Sequence, residues 1–147
     1  MVKAVFLLDV NVLVAMAWPA HAAHQKVKQW LGRNANHTWA TCPFTQAAFV
    51  RTLSNPSFSP HAIVPSHAVS LLQSYLRHPH HKFWADDLSV VQALEPLTSR
   101  LRGHQQVTDA YLLGLAIHKK GKFATMDRGI LSLLPETTRE GEFIELF

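Results

Sequence analysis

The chain of 147 residues contains a single cysteine, Cys42. That excludes an internal disulfide framework and a cysteine-rich zinc site, and it fits a reducing compartment. Charge is also scarce, at 16% of residues against 48% hydrophobic, so a disordered polyelectrolyte is excluded and there is apolar mass for a real core. No segment approaches the roughly 20 consecutive apolar residues needed to span a bilayer. The apolar N-terminal stretch MVKAVFLLDV is interrupted by Asp9 and Asn11 and lacks a small-residue cleavage site, so it reads as a buried strand and not a signal peptide. A soluble cytoplasmic protein of one domain, residues 1–147, is expected. Internal repeats and low-complexity segments are absent as well.

Basic residues outnumber acidic ones, 14 to 10, and ten histidines add to the positive side when protonated. Such a balance suits a polyanionic partner such as RNA, and equally an ordinary basic surface. Hydrophobic patterning predicts a strand over Val2–Leu8, a short helix over Asn11–Trp18 halted by Pro19, and a second helix over His21–Leu31. Thr38–Cys42 is β-prone, and Pro43 is a natural first residue for a helix carrying Phe49, Val50 and Leu53. A Pro- and Ser-containing loop over Asn55–Pro65 precedes a helix over Ser66–Arg77, the basic HPHH turn and a brief strand at Phe83–Trp84. Leu88–Leu101 reads as a helix kinked or divided at Pro96, and Val107–Lys120 as a longer one ended by Gly121. Lys122–Met126 and Phe143–Leu146 are predicted strands flanking a short helix over Gly129–Leu134. Alternation of strand and helix to the end implies an α/β fold, a parallel sheet with helices on both faces.

In open α/β sheets, functional sites lie beyond the carboxyl ends of the strands. Asp9 follows VFLL and Asp127 follows KFATM, both at such ends, although either could simply cap the next helix. Asp109 is the more informative acid. It shares a helical stripe with Leu113, Ala116 and Ile117, where a carboxylate is costly unless paired or bound to metal. The competing account puts it in the first helical turn, favoured by the positive helix end, with Gln106 or Thr108 as cap. Three aspartates brought together would repel one another unless a cation held them. Hard divalent cations take such oxygen ligands and can activate water beside a phosphodiester.

The blocks LLDVNVLVA (7–15), ATCPFTQAAFVRTLSNP (40–56), KFWADD (82–87), QVTDAYLLGLA (106–116) and FATMDRGI (123–130), in this order, resemble those of VapC-type PIN-domain toxins across nearly the whole chain. The resemblance implies a three-layer α/β/α sandwich around a mainly parallel sheet and Mg²⁺- or Mn²⁺-dependent endoribonuclease activity. It also implies an RNA substrate, a VapB-type antitoxin partner and a homodimer. Asp9 matches the family's first acid, Asn11 the polar residue that supports it, Asp109 the acid opening the long helix, and Asp127 the acid after the fourth strand, with Thr125 its hydrogen-bonding neighbour.

One position departs from the pattern. Many members place a glutamate on the helix after the second strand, where this chain has Gln46, and an uncharged amide is a poorer metal ligand. That departure supports an alternative reading, a non-catalytic PIN-fold module that binds RNA or antitoxin. Arg51, about 140° around the helix from Gln46, and Arg128, beside Asp127, are candidate RNA contacts, as is the Lys119, Lys120 and Lys122 group. Asp87 is expected to cap the helix starting near Leu88, in preference to lending charge to the site with Asp86. His78, His80 and His81 lack metal-ligand spacing and read as an exposed basic turn; no histidine is assigned to catalysis. The four tryptophans are expected in packing more than in base stacking. A phosphatase of the haloacid-dehalogenase type would need a second aspartate two residues after the first, where Asn11 stands.

Overall fold

The computed structural model describes residues 4–147. Five strands, β1 (Val5–Leu8), β2 (Thr38–Thr41), β3 (His81–Phe83), β4 (Lys122–Thr125) and β5 (Ile144–Leu146), form one sheet in the order β3-β2-β1-β4-β5. Every pairing is parallel, with Leu7 opposite Ala40 on one side and Phe123 on the other. Parallel strands need crossover connections that cover both faces, which is why the central strand is apolar on both sides. Phe6, Leu7 and Leu8 are all buried.

The pleat sorts the core into two halves. Leu7, Ala40 and Phe123 point to the face covered by α5 (Val90–Leu94) and α6 (Val107–His118). Phe6, Leu8, Trp39 and Ala124 point to the opposite face, under α1 (Val10–Ala17), α2 (His24–Arg33), α3 (Pro43–Leu53) and α4 (Pro65–Leu76). The α/β/α layering expected from the alternation is thus the observed architecture. Val2 and Lys3 of the first predicted strand lie outside the described residues. No helix among the described residues is long and apolar enough to cross a membrane.

Local chemistry explains where the elements start and stop. Asp9 caps α1, Pro43 opens α3, and the Thr45 hydroxyl accepts from the Cys42 N–H at 3.0 Å. The predicted helix over Leu88–Leu101 is divided: α5 ends at Leu94 and a 3₁₀ segment follows over Glu95–Arg100, because Pro96 has no N–H to continue the α-helical ladder. Asp87 does not cap this helix. It starts at Val90, so Ser89 holds the cap position in a reciprocal box with Gln92, while Asp87 pairs at 3.1 Å with Lys119, the residue just beyond α6.

The third strand begins at His81, which leaves the predicted turn to pair with Trp39. Its ring packs 4.8 Å from the Trp39 ring and its Nε2 lies 2.7 Å from the Thr41 hydroxyl. Burial, aided by the neighbouring His78, lowers its pKa, so His81 is a packed neutral group and not part of a basic turn. The short helix predicted near Gly129 is a 3₁₀ segment over Arg128–Leu133.

Two glycines permit close backbone approach. At the end of α6 the left-handed residue is Lys120, at φ 61°, whereas a Cβ on Gly121 would fall 2.6 Å from the Val5 carbonyl oxygen and 2.7 Å from the Trp84 ring. A Cβ on Gly114 would lie 2.0 Å from the Ala93 carbonyl oxygen, so α6 packs on α5 only because position 114 has no side chain. Gly114→Ala forces the two helices apart and is expected to cost about 3 kcal/mol. Urea unfolding followed by circular dichroism checks this; an unchanged midpoint would contradict the packing.

Candidate active site

The strand order determines where a site forms. From β1 the chain steps to β2 and β3 on one side, then crosses to β4 and β5 on the other, so β1 and β4 flank a topological switch point. Asp9 follows β1 directly and Asp127 stands two residues beyond β4, beside each other at the carboxyl edge of the sheet. Helix α6 packs on β1 and β4 and brings Asp109, in its first turn, to the same edge. All three carboxylates, with Asn11, line a cleft of about 390 Å³. A larger concavity of about 740 Å³ holds Arg128 but none of the three aspartates. The chemistry points to the smaller one.

Thr125, wholly buried at the end of β4, joins two of the acids. Its hydroxyl donates to Asp9 Oδ2 at 2.7 Å and accepts from the Asp127 N–H at 3.1 Å. The other Asp9 oxygen accepts from the Val10 N–H at 2.7 Å, and Asp127 Oδ1 accepts from the Gly129 N–H at 2.9 Å. Both acids therefore do cap the turns that follow them, as the simpler account held, while also facing the cleft. Asp109 differs: neither Gln106 nor Thr108 caps the α6 terminus through its side chain, and Gln106 instead accepts from the Arg102 N–H at 2.7 Å.

The electrostatics set these acids apart. Burial raises the Asp9 pKa, against the lowering effect of its hydrogen bonds to Thr125 and Val10, and Asp127 adds a further upward push. Asp109 is pushed up to about 6, by burial first and then by the charges of Asp9 and Asp127. A third feature is the Asn11 Oδ1, buried with no hydrogen-bond partner among the described residues. A buried acceptor left unpaired costs on the order of 1–3 kcal/mol, so its presence here is informative. The donor set is hard oxygen throughout and fits a divalent cation of the Mg²⁺ class. The carboxylates share the cleft without converging to a ready ligand cluster; no group of three His, Cys, Asp or Glu among the described residues is set to hold an ion directly. Mg²⁺ commonly keeps several waters and only one or two protein carboxylates, which such a spread set can serve.

Other residues singled out from the sequence lie elsewhere. Gln46 is not among the residues lining the cleft; its amide nitrogen donates to the Thr41 hydroxyl at 3.0 Å. Arg51 is exposed on the last turn of α3, where the next residue, Thr52, is the one that lines the cleft, since one step turns the helix by about 100°. Asp86 accepts from the Tyr111 hydroxyl at 2.9 Å, and Lys119 is engaged with Asp87. Conversely His21 and Phe58 line the cleft and were not selected from the sequence. They come from the segment after α1 and the loop after α3, and only tertiary packing brings those segments together.

A model of the PIN domain matches residues 6–133. Ribonuclease VapC38 of Mycobacterium tuberculosis is 43% identical over 127 residues, covering 86% of this chain and 88% of its own length. The chain belongs to the VapC family of PIN-domain proteins. Ribonuclease VapC44 of the same organism is 38% identical over 135 residues, covering 91% of this chain and 94% of its own. Among solved structures, VapBC2 from Rickettsia felis bound to a DNA fragment from its promoter superposes with a TM-score of 0.63, over 97% of this chain and 98% of that one. At 14% sequence identity this likeness shows the fold alone.

The raised Asp109 pKa has a direct consequence for this VapC-family chain. A carboxyl that holds its proton more tightly folded than unfolded contributes stability fully below its unfolded pKa of about 4. That contribution is lost as pH rises through about 6. Asp109→Asn removes the loss, and in chelator at pH 7.5 it is expected to raise Tm by roughly 2–4 °C, a modest figure because a half-exposed charge is screened. The variant and parent should converge near pH 4; a lower Tm for the variant at both pH values would contradict the assignment.

Proposed function

We propose that this chain is the toxin of a type II toxin–antitoxin system, a metal-dependent endoribonuclease that hydrolyses RNA phosphodiesters to 5′-phosphate and 3′-hydroxyl ends. The observation that carries the reading is the meeting of Asp9, Asp109 and Asp127 on one cleft at the switch point of the sheet. Kinship with proteins named ribonuclease at 34–43% identity supports the reaction class. The VapBC assembly among the structural neighbours supports a VapB-type antitoxin as partner. A homodimer and a cytoplasmic location belong to the same proposal.

Asp9, Asp109 and Asp127 would hold Mg²⁺ or Mn²⁺, directly or through water, with the unpartnered Asn11 oxygen as a further acceptor. When bound, the cation supplies charge neutralisation at the phosphodiester and a water of lowered pKa. The chain's own contribution is to hold the acids in place. Thr125 fixes Asp9 by one oxygen, and the Gly129 N–H fixes Asp127. Because cation binding requires carboxylates, Asp109 makes affinity rise with pH through about 6.

The decisive assay uses the chain purified free of antitoxin, with end-labelled single-stranded RNA and Mn²⁺ or chelator. Cleavage is expected only with the metal, leaving 5′-phosphate ends. Asp9→Asn should reduce it by roughly 100-fold or more, since several kcal/mol of charge stabilisation is lost. Undiminished cleavage by a folded Asp9→Asn protein would sink the proposal. Mn²⁺ affinity measured by calorimetry at pH 5 and pH 7.5 should favour the higher pH, and Asp109→Asn should flatten that difference.

A further inference from the structure

We infer that the wall of the cleft formed by His21 and Phe58 is a nucleotide subsite for single-stranded RNA, with Phe58 stacking on a base and His21 donating to the adjoining phosphate. The inference rests on the ribonuclease reading above and adds what positions the substrate.

Phe58 is 42% exposed, a large apolar ring facing solvent in the same cleft as the three carboxylates. Its position is set by its own loop. Asn55 accepts from the Phe58 N–H through its carbonyl at 3.0 Å and from the Ser57 N–H through its side chain at 2.9 Å, and the next residue, Ser59, is buried. Behind it stands Trp18, whose ring lies 5.5 Å from Phe58 and 6.0 Å from His21, so one indole braces both side chains. Phe58 also borders a second, apolar recess of about 190 Å³ lined by Trp18, Leu53, Ile63 and Leu71. It is thus the partition between an apolar recess and an acidic cleft.

His21 supplies the complementary polar contact. Its Nδ1 accepts from the Ala23 N–H at 3.0 Å, so the neutral ring must carry its proton on Nε2. That leaves an N–H donor on a residue lining a cleft whose charged groups are all carboxylates. A flat apolar face beside a donor and a candidate cation site matches the alternation of base and phosphate along a single strand. An apolar peptide would satisfy the recess but leave the His21 donor and the continuity with the carboxylates unused, so RNA is the occupant the arrangement favours.

The test separates the subsite from the chemistry. Binding of a labelled single-stranded RNA is read by anisotropy in the full-length chain carrying Asp9→Asn, where cleavage cannot confuse it. Adding Phe58→Ala should weaken binding roughly 5- to 100-fold, and Phe58→Trp should restore it. In the otherwise unsubstituted chain, Phe58→Ala should raise KM while kcat holds. Thermal unfolding confirms that these exposed-site variants remain folded. Unchanged RNA affinity and KM in Phe58→Ala would overturn the subsite. The same unchanged values with weakened antitoxin binding would assign the wall to a protein and overturn it equally. Failure of the parent chain to cleave any RNA would count against the ribonuclease reading, and the binding comparison would still decide the subsite.

Discussion

The hydroxyl of Thr125 holds together what the sheet topology brings near. Donating to Asp9 while accepting from the Asp127 N–H, it links the chain just beyond β1 to the chain just beyond β4 across the switch point. Thr125 itself is wholly buried, where a hydrogen bond to a carboxylate is strong and an unmade one is costly. Without it, Asp9 would keep only the Val10 N–H, and the desolvation that raises its pKa would meet less opposition. The side chain of Asp9 is therefore held at a buried position by two donors, the Thr125 hydroxyl at the end of β4 and the Val10 N–H that opens α1.

Helix capping and site formation turn out to be the same geometry for two of the three acids. An aspartate at the end of a parallel strand meets the N-terminus of the next helical segment, whose free N–H groups donate to one carboxylate oxygen. The second oxygen of Asp9 accepts from Thr125 at the end of the neighbouring strand, whose hydroxyl also holds the Asp127 N–H. Asp9 and Asp127 both cap and both line the cleft, so the capping role does not compete with a role in the site. Asp109 stands apart because the α6 terminus is not satisfied through its neighbours' side chains and its pKa is raised by burial first and then by the charges of the other two.

Much of this was legible in the sequence. Apolar runs, Pro43, and the alternation of strand and helix identify the parallel sheet, and strand ends identify Asp9 and Asp127. The stripe of Leu113 and Ala116 beneath Asp109 marks it as an acid on an otherwise apolar face, and both leucine and alanine are indeed buried. What escaped depends on long-range packing. Asp87 has the local signature of a cap, but the helix starts at Val90 and its partner, Lys119, lies 32 residues away. His81 looked like part of a basic turn because pairing with Trp39 carries no local signal. His21 and Phe58 sit in irregular segments whose convergence no periodicity encodes.

Gln46 bears on how the site carries its charge. With its amide engaged by Thr41, and Thr41 in turn within 2.7 Å of His81, the residue belongs to a polar chain joining α3 to β2 and β3. A glutamate there would bring a fourth negative charge toward the sheet edge and would repel acids already strained by one another. The amide spares the fold that repulsion and, in the proposed reading, leaves three carboxylates to balance a divalent cation. Their mutual repulsion is a stability cost in the metal-free chain, one that a structural role alone would have no reason to keep. In the proposed reading, a bound divalent cation would relieve both the Asp109 charge, opposed by burial and by two neighbours, and the Asn11 oxygen on the same cleft, which is unpaired among the described residues.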